Sequence, residues 1–195
     1  MFPLFKGQAY IIMEEEHPYR DQTAAASGAG PGGRRRGNME RDVLIQTALD
    51  GLGRSYAPYS HFHVSAALLC RDGKVYTGNN IENAAYSPGI CAERCAFAKA
   101  VSEGEREFEA IVICGGPGGK AEDYCPPCGV CRQVMREFCH PDAFRIILAK
   151  SVQEYREYTL AQLLPESFGP DHLGCKKYYG RIREAGKYLF SRNKT

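Results

Sequence analysis

The chain has 195 residues, 44% of them hydrophobic, enough for one good core, and no apolar run of 18 or more, so no membrane-spanning helix is expected. Its 25 basic and 23 acidic residues nearly cancel to +2, which argues against a chain whose whole surface binds nucleic acid. The opening "MFPLFKGQAYIIMEEEH" is broken by Pro3, Lys6 and Gly7 and runs into Glu14, Glu15 and Glu16, which fits neither a secretory signal nor a mitochondrial presequence. A cytoplasmic location follows, where nine cysteines are expected to stay reduced and available to metals.

In chain order, residues 1–38 read as a disordered extension, because "DQTAAASGAGPGGRRRGN" has no periodicity. From Met39, helical spacing of Val43, Leu44, Thr47, Ala48 and Leu52 predicts a helix ended by Gly51 and Gly53. After the turn-rich "YAPYSHF", the runs "FHVSAALLC" and "KVYTGNN" flank Arg71-Asp72-Gly73, which predicts a hairpin. The loop "NIENAAYSPGI" leads into a helix over "CAERCAFAKAVSEG" that stops at Gly104. "EAIVICGG" reads as a buried strand, "CGVCRQVMREFC" as a helix with Val130, Val134 and Phe138 at helical spacing, and "AFRIILAK" as another buried strand. "EYREYTL" suits an edge strand and "LAQLLPESFG" a short final helix. The order α-β-β-α-β-α-β-β predicts an α/β fold: a mixed five-stranded sheet with helices on both faces, in three layers, over residues 39–173. Residues 174–195 hold seven Lys/Arg and one Glu, so this tail carries +6 and the remainder −4. That charge suits RNA, an acidic membrane or an acidic partner, although a solvated tail needs none of them.

Cysteine placement carries the chemistry. "CPPCGVCRQ" spaces Cys125, Cys128 and Cys131 evenly, but Pro126 and Pro127 hold Cys125 in extended chain, roughly 9 Å from Cys128. Cys128 and Cys131, at a helix start, share one face with roughly 5–6 Å between Cβ atoms and can reach one ion. Cys91, at the other helix start, is the natural third ligand. Three protein ligands leave one coordination position open, which marks a catalytic zinc. Glu93, two residues on, can take a proton from water there and pass it to a substrate. Cys125 reads as a bystander, and Cys70, Cys95, Cys114, Cys139 and Cys175 as small buried hydrophobes.

"CAER" at 91–94 and "PCGVCRQ" at 127–133 resemble the zinc-dependent cytidine deaminase family, in the all-cysteine version similar to the enzymes of free nucleosides. "APYSHFHVSAAL", "GNNIENAAY", "AVSEG" and "LLPESFGPDHL" extend the resemblance, in order, over residues 39–173. It implies hydrolytic deamination of cytidine and deoxycytidine to uridine and deoxyuridine plus ammonia, with one Zn²⁺ per subunit on Cys91, Cys128 and Cys131. Glu93 would pass protons to N3 of the pyrimidine and to the departing amine. By the same resemblance Asn80 and Glu82 would hydrogen-bond the ribose hydroxyls and Phe62 would pack on the base. Ala84, Tyr86 and Phe168 would serve a neighbouring subunit's site in a homotetramer, and Arg94 would hydrogen-bond the zinc thiolates and offset their charge. The sequence departs from the family's usual pattern at Ser65 (commonly Gly), Asn79, Cys95 (commonly Thr) and His63. Compact members begin near the equivalent of Met39, so initiation at Met39 is a further expectation. Two other readings stay open: a deaminase of another substrate, such as a nucleoside antibiotic or a base in RNA, and a structural zinc knuckle in a binding module. "NIEN" and Phe168 favour free nucleosides, which makes nucleic acid an unexpected partner, and a knuckle has no use for Glu93.

Overall fold

Strands that carry small and branched apolar residues on both faces need cover on both sides, and this requirement organises the molecule. A computed structural model describes residues 33–174; the remainder of the 1–38 extension, the tail beyond Gly174 and Cys175 lie outside the described residues. Helix α1 (Gly33–Gly51) begins six residues ahead of Met39 and runs into a 3₁₀ turn, Leu52–Arg54. Strand β1 (Phe62–Cys70) turns through Asp72-Gly73 into β2 (Val75–Asn79), the expected hairpin; Gly73 has φ +94°, where a Cβ is disfavoured. Then follow α2 (Ala92–Ser102), β3 (Phe108–Pro117), α3 (Gly129–Phe138), β4 (Arg145–Ala149), β5 (Tyr155–Thr159) and α4 (Leu160–Leu163). The sheet order is β2-β1-β3-β4-β5, with β3 and β4 parallel and every other neighbour antiparallel.

The two faces divide by residue parity. Ala67, Ala110, Val112, Cys114, Ile147 and Ala149 pack under Leu44, Ile45, Ala48 and Leu52 of α1 and its 3₁₀ turn. Ala66, Leu68, Ile111, Ile113, Ile146 and Leu148 face Ala96, Phe97 and Ala100 of α2 and Cys131 and Met135 of α3. The expected three layers are therefore present, with α1 and its 3₁₀ turn the helical cover of one face among the described residues. No helix of the described residues is long and apolar enough to cross a membrane.

Three local expectations need correction. On α3 the buried positions are Cys131, Met135 and Arg136; of the expected residues Val134 and Phe138 pack against the core partly buried, while Val130 is 60% exposed. On α1 Val43 faces outward and Ile45 inward. The final helix stops at Leu163 rather than reaching Gly169. Pro165 disfavours helical backbone at Leu164, which adopts φ −142° and ψ 70°, and a separate 3₁₀ turn forms at Pro170–Leu173.

Helix α2 approaches β2 so closely that only glycine fits at position 78. A Cβ there would lie 2.3 Å from the Ala92 carbonyl oxygen and 2.4 Å from the Ala96 nitrogen, both backbone atoms that cannot swing aside. Gly78→Ala is accordingly expected to destabilise the fold by about 1–3 kcal/mol or more, measured by denaturant unfolding, because α2 must shift from the sheet.

Candidate active site

Two helix N-termini meet at one edge of the sheet. Cys91 is the extended N-cap of α2 and Cys128 the extended N-cap of α3; the Cys128 sulfur accepts the Cys131 backbone N–H at 3.4 Å. Because β3 and β4 run parallel, the chain must cross between them, and α3 enters the layer at the C-terminal end of β3. Antiparallel β1 begins at that same end, with Phe62 opposite Pro117, and Asn80 follows the end of β2 beside it.

The Cys128 sulfur lies 3.9 Å from that of Cys91 and 3.4 Å from that of Cys131, and all three pairwise distances fall within 4.8 Å. Tetrahedral zinc with Zn–S of about 2.3 Å requires sulfur separations of about 3.8 Å, so the triad fits that ion. Its charges point the same way. The hydrogen bond with Cys131 and the nearby Arg94 guanidinium hold the Cys91 thiol well below its ordinary range, while that same bond and burial raise Cys131. Cysteine binds a metal as thiolate, so a metal on these sulfurs displaces thiol protons. Arg94 donates from Nη2 to the Gly89 carbonyl at 3.2 Å, while its Nε is buried with no hydrogen-bond partner, a donor left for thiolates beside it.

Glu93, in the first turn of α2, is 4% exposed, and burial, with the Cys91 charge adding to it, raises its carboxyl above the usual range. It lines a cavity of about 530 Å³ together with Cys91 and Cys128, Asn80, Glu82 and Tyr86. A carboxyl group held off water beside an ion site can carry a proton rather than form an ion pair.

The remaining expected residues fall into two groups. Asn80 uses both ends of its amide on β1: Oδ1 accepts the Val64 N–H at 2.8 Å and Nδ2 donates to the Phe62 carbonyl at 2.8 Å. Phe62 thus adjoins the cavity through its backbone, with its side chain 39% exposed and outside the lining. Ala84 is exposed and Phe168 is 59% exposed, both outside the lining, while Tyr86 combines a place at the cavity with 88% exposure and a left-handed backbone, φ 59°. Cys125 belongs to the lining but not to the triad. Burial pushes its thiol up to about 11, and the two prolines set it apart as expected. Among the other cysteines Cys70, Cys114 and Cys139 are buried, whereas Cys95 is only half-buried. Sequence reasoning missed Arg132, which donates to the Pro127 carbonyl at 2.8 Å and the Leu163 carbonyl at 2.7 Å and so braces the turn before Cys128. Its place directly after Cys131 was visible, but its long-range partner was not. A second group of possible ligands, Cys70, Asp72 and Glu105, already surrounds an ammonium: Lys74 Nζ lies 2.6 Å from Glu105 and 3.2 Å from Asp72.

A family profile described as "Cytidine and deoxycytidylate deaminase zinc-binding region" matches residues 39–146. A cytidine deaminase of Sporosarcina psychrophila is 43% identical over 135 residues, 69% of this chain and 96% of that protein. One from Halalkalibacterium halodurans is 44% identical over 130 residues, 67% of this chain and 95% of its own. The crystal structure of a cytidine deaminase from Burkholderia pseudomallei superposes with a TM-score of 0.59 at 41% identity, covering 65% of this chain and 97% of the other.

Metal analysis separates the three C-x-x-C cysteines. Cys128→Ser and Cys131→Ser are expected to lose zinc, whereas Cys125→Ser keeps one ion per subunit.

Proposed function

The chain belongs to the cytidine and deoxycytidylate deaminase family, and on that premise we propose that it hydrolyses the 4-amino group of cytidine and deoxycytidine, releasing uridine or deoxyuridine and ammonia. The observation that carries this reading is the buried Glu93 carboxyl at a cavity lined also by Cys91 and Cys128, two members of the Cys91–Cys128–Cys131 triad. A structural zinc site closes all four positions with ligands and has no need of a buried acid at an open cavity.

Cys91, Cys128 and Cys131 would hold the zinc, which when bound supplies a Lewis acid that renders water nucleophilic at neutral pH. Glu93 takes a proton from the attacking water and delivers it to the pyrimidine N3. It then carries the second proton to the amine as the C4–N bond breaks, so that water and nucleoside leave as ammonia and the uracil product. Its raised proton affinity suits a group that must both accept and donate. Arg94 supports the thiolates, which with Zn²⁺ sum to −1, by bringing a positive charge and an unused N–H. Asn80 and Glu82 lie at the cavity as partners for the sugar hydroxyls, and Phe62, whose side chain is outside that lining, is assigned to the base by the family resemblance alone.

The same reading makes the enzyme a cytoplasmic homotetramer. Aromatic rings as exposed as Tyr86, at the cavity, and Phe168 suit contacts with a second copy, and Ala84 lies on the same loop as Tyr86. The catalytic unit is residues 39–173, with the flanking segments as additions.

A spectrophotometric cytidine assay with and without a chelator tests the activity, and wild-type turnover is expected to disappear with the metal. Glu93→Gln is expected to retain zinc and lose turnover by about 10²–10⁴-fold or more; normal turnover in that variant would sink the proton relay. Light scattering is expected to give four times the 21.6 kDa chain mass.

A further inference from the structure

The stretch "APYSHF" supplies a hydroxyl to which the chemistry above assigns no role. Ser60 stands in a turn closed by the His61 N–H donating to the Ala57 carbonyl at 3.1 Å, with His61 in the left-handed region at φ 54°. Its Oγ donates to Glu82 Oε1 in a short hydrogen bond and accepts the Phe62 N–H at 3.0 Å. The other carboxylate oxygen, Glu82 Oε2, accepts the backbone N–H groups of Tyr59 at 3.0 Å and Ser60 at 3.3 Å. Three donors from one turn therefore hold a carboxylate that offers roughly four acceptor sites, which leaves room for one further donor at the cavity.

We propose that Ser60 is the positioning residue for Glu82: its hydroxyl fixes the carboxylate so that the remaining acceptor site meets one sugar hydroxyl of the nucleoside. The inference rests on the nucleoside-deaminase reading above. Both residues line the cavity, and they lie 22 residues apart in the chain, so the bond ties the β1 entry turn to the loop after β2. The bonds from Ser60 and the turn also hold the Glu82 carboxyl below its ordinary range, so the group meets the sugar as an acceptor only. Because Ser60 touches no reacting atom in this arrangement, its loss reaches binding and leaves the chemical step alone.

Steady-state kinetics with cytidine and with 2′,3′-dideoxycytidine test this. Ser60→Ala is expected to raise KM for cytidine about tenfold, the size of a lost charge-assisted hydrogen bond, with kcat within about twofold. KM for the dideoxy substrate, which lacks the hydroxyls, stays within about twofold of wild type, and Ser60→Ala adds nothing in a Glu82→Ala background. Ser60→Thr, which keeps the hydroxyl, retains the wild-type KM for cytidine. An equal loss on both substrates, an undiminished effect in the Glu82→Ala background, or a Thr variant as impaired as the Ala variant overturns the proposal. Absence of wild-type turnover on cytidine counts against the reading beneath it, whereas normal wild-type turnover with an indifferent Ser60→Ala counts against Ser60 alone.

Discussion

Three sulfur atoms held 3.4–3.9 Å apart along Cys91–Cys128–Cys131 join the starts of two helices, and the rest of the site is arranged around that contact. Thiolates so close repel one another, and the opposing influences can be named. Each N-cap sulfur lies at the positive end of a helix dipole, and Arg94 brings a guanidinium. The arrangement suits a doubly charged ion, and its sulfurs are carried by helix starts packed on the sheet.

The sheet explains why the sulfurs meet. Parallel pairing of β3 with β4 requires a crossover, and α3 begins it at the end of the sheet where β1 starts and β2 finishes. Helix α2 reaches the same end because Gly78 lets it lie directly on the β2 backbone. The interior of that layer is apolar, and Glu93 is drawn into its margin with the first turn of α2. Burial of the acid and placement of the metal ligand therefore share one cause: the seating of α2. On the opposite rim, polar side chains serve as backbone clamps. Asn80 holds β1 at both Phe62 and Val64, and Glu82 is held by the turn at residues 57–61, so the groups that face the cavity are fixed by the scaffold.

The sequence by itself determined the elements and the ligand triad. Alternating apolar strands, the Asp-Gly turn and the helical segments are local patterns, and Cys128 with Cys131 on one helical turn is a local geometry, so all were legible from spacing. The assignments of Asn80, Glu82 and Phe62 were legible only through resemblance, since an asparagine after a strand reads equally well as a turn residue. Whereas the end of α4 before Pro165 is a local signal, tertiary structure alone decided which side of α3 is buried and that Ser60 and Arg132 brace the site through partners 5 to 31 residues away. Such partners carry no periodic signal. A hydroxyl or guanidinium acquires its role from whichever backbone or carboxylate the packing of the sheet brings within hydrogen-bonding distance, and that distance exists only once the layers have closed.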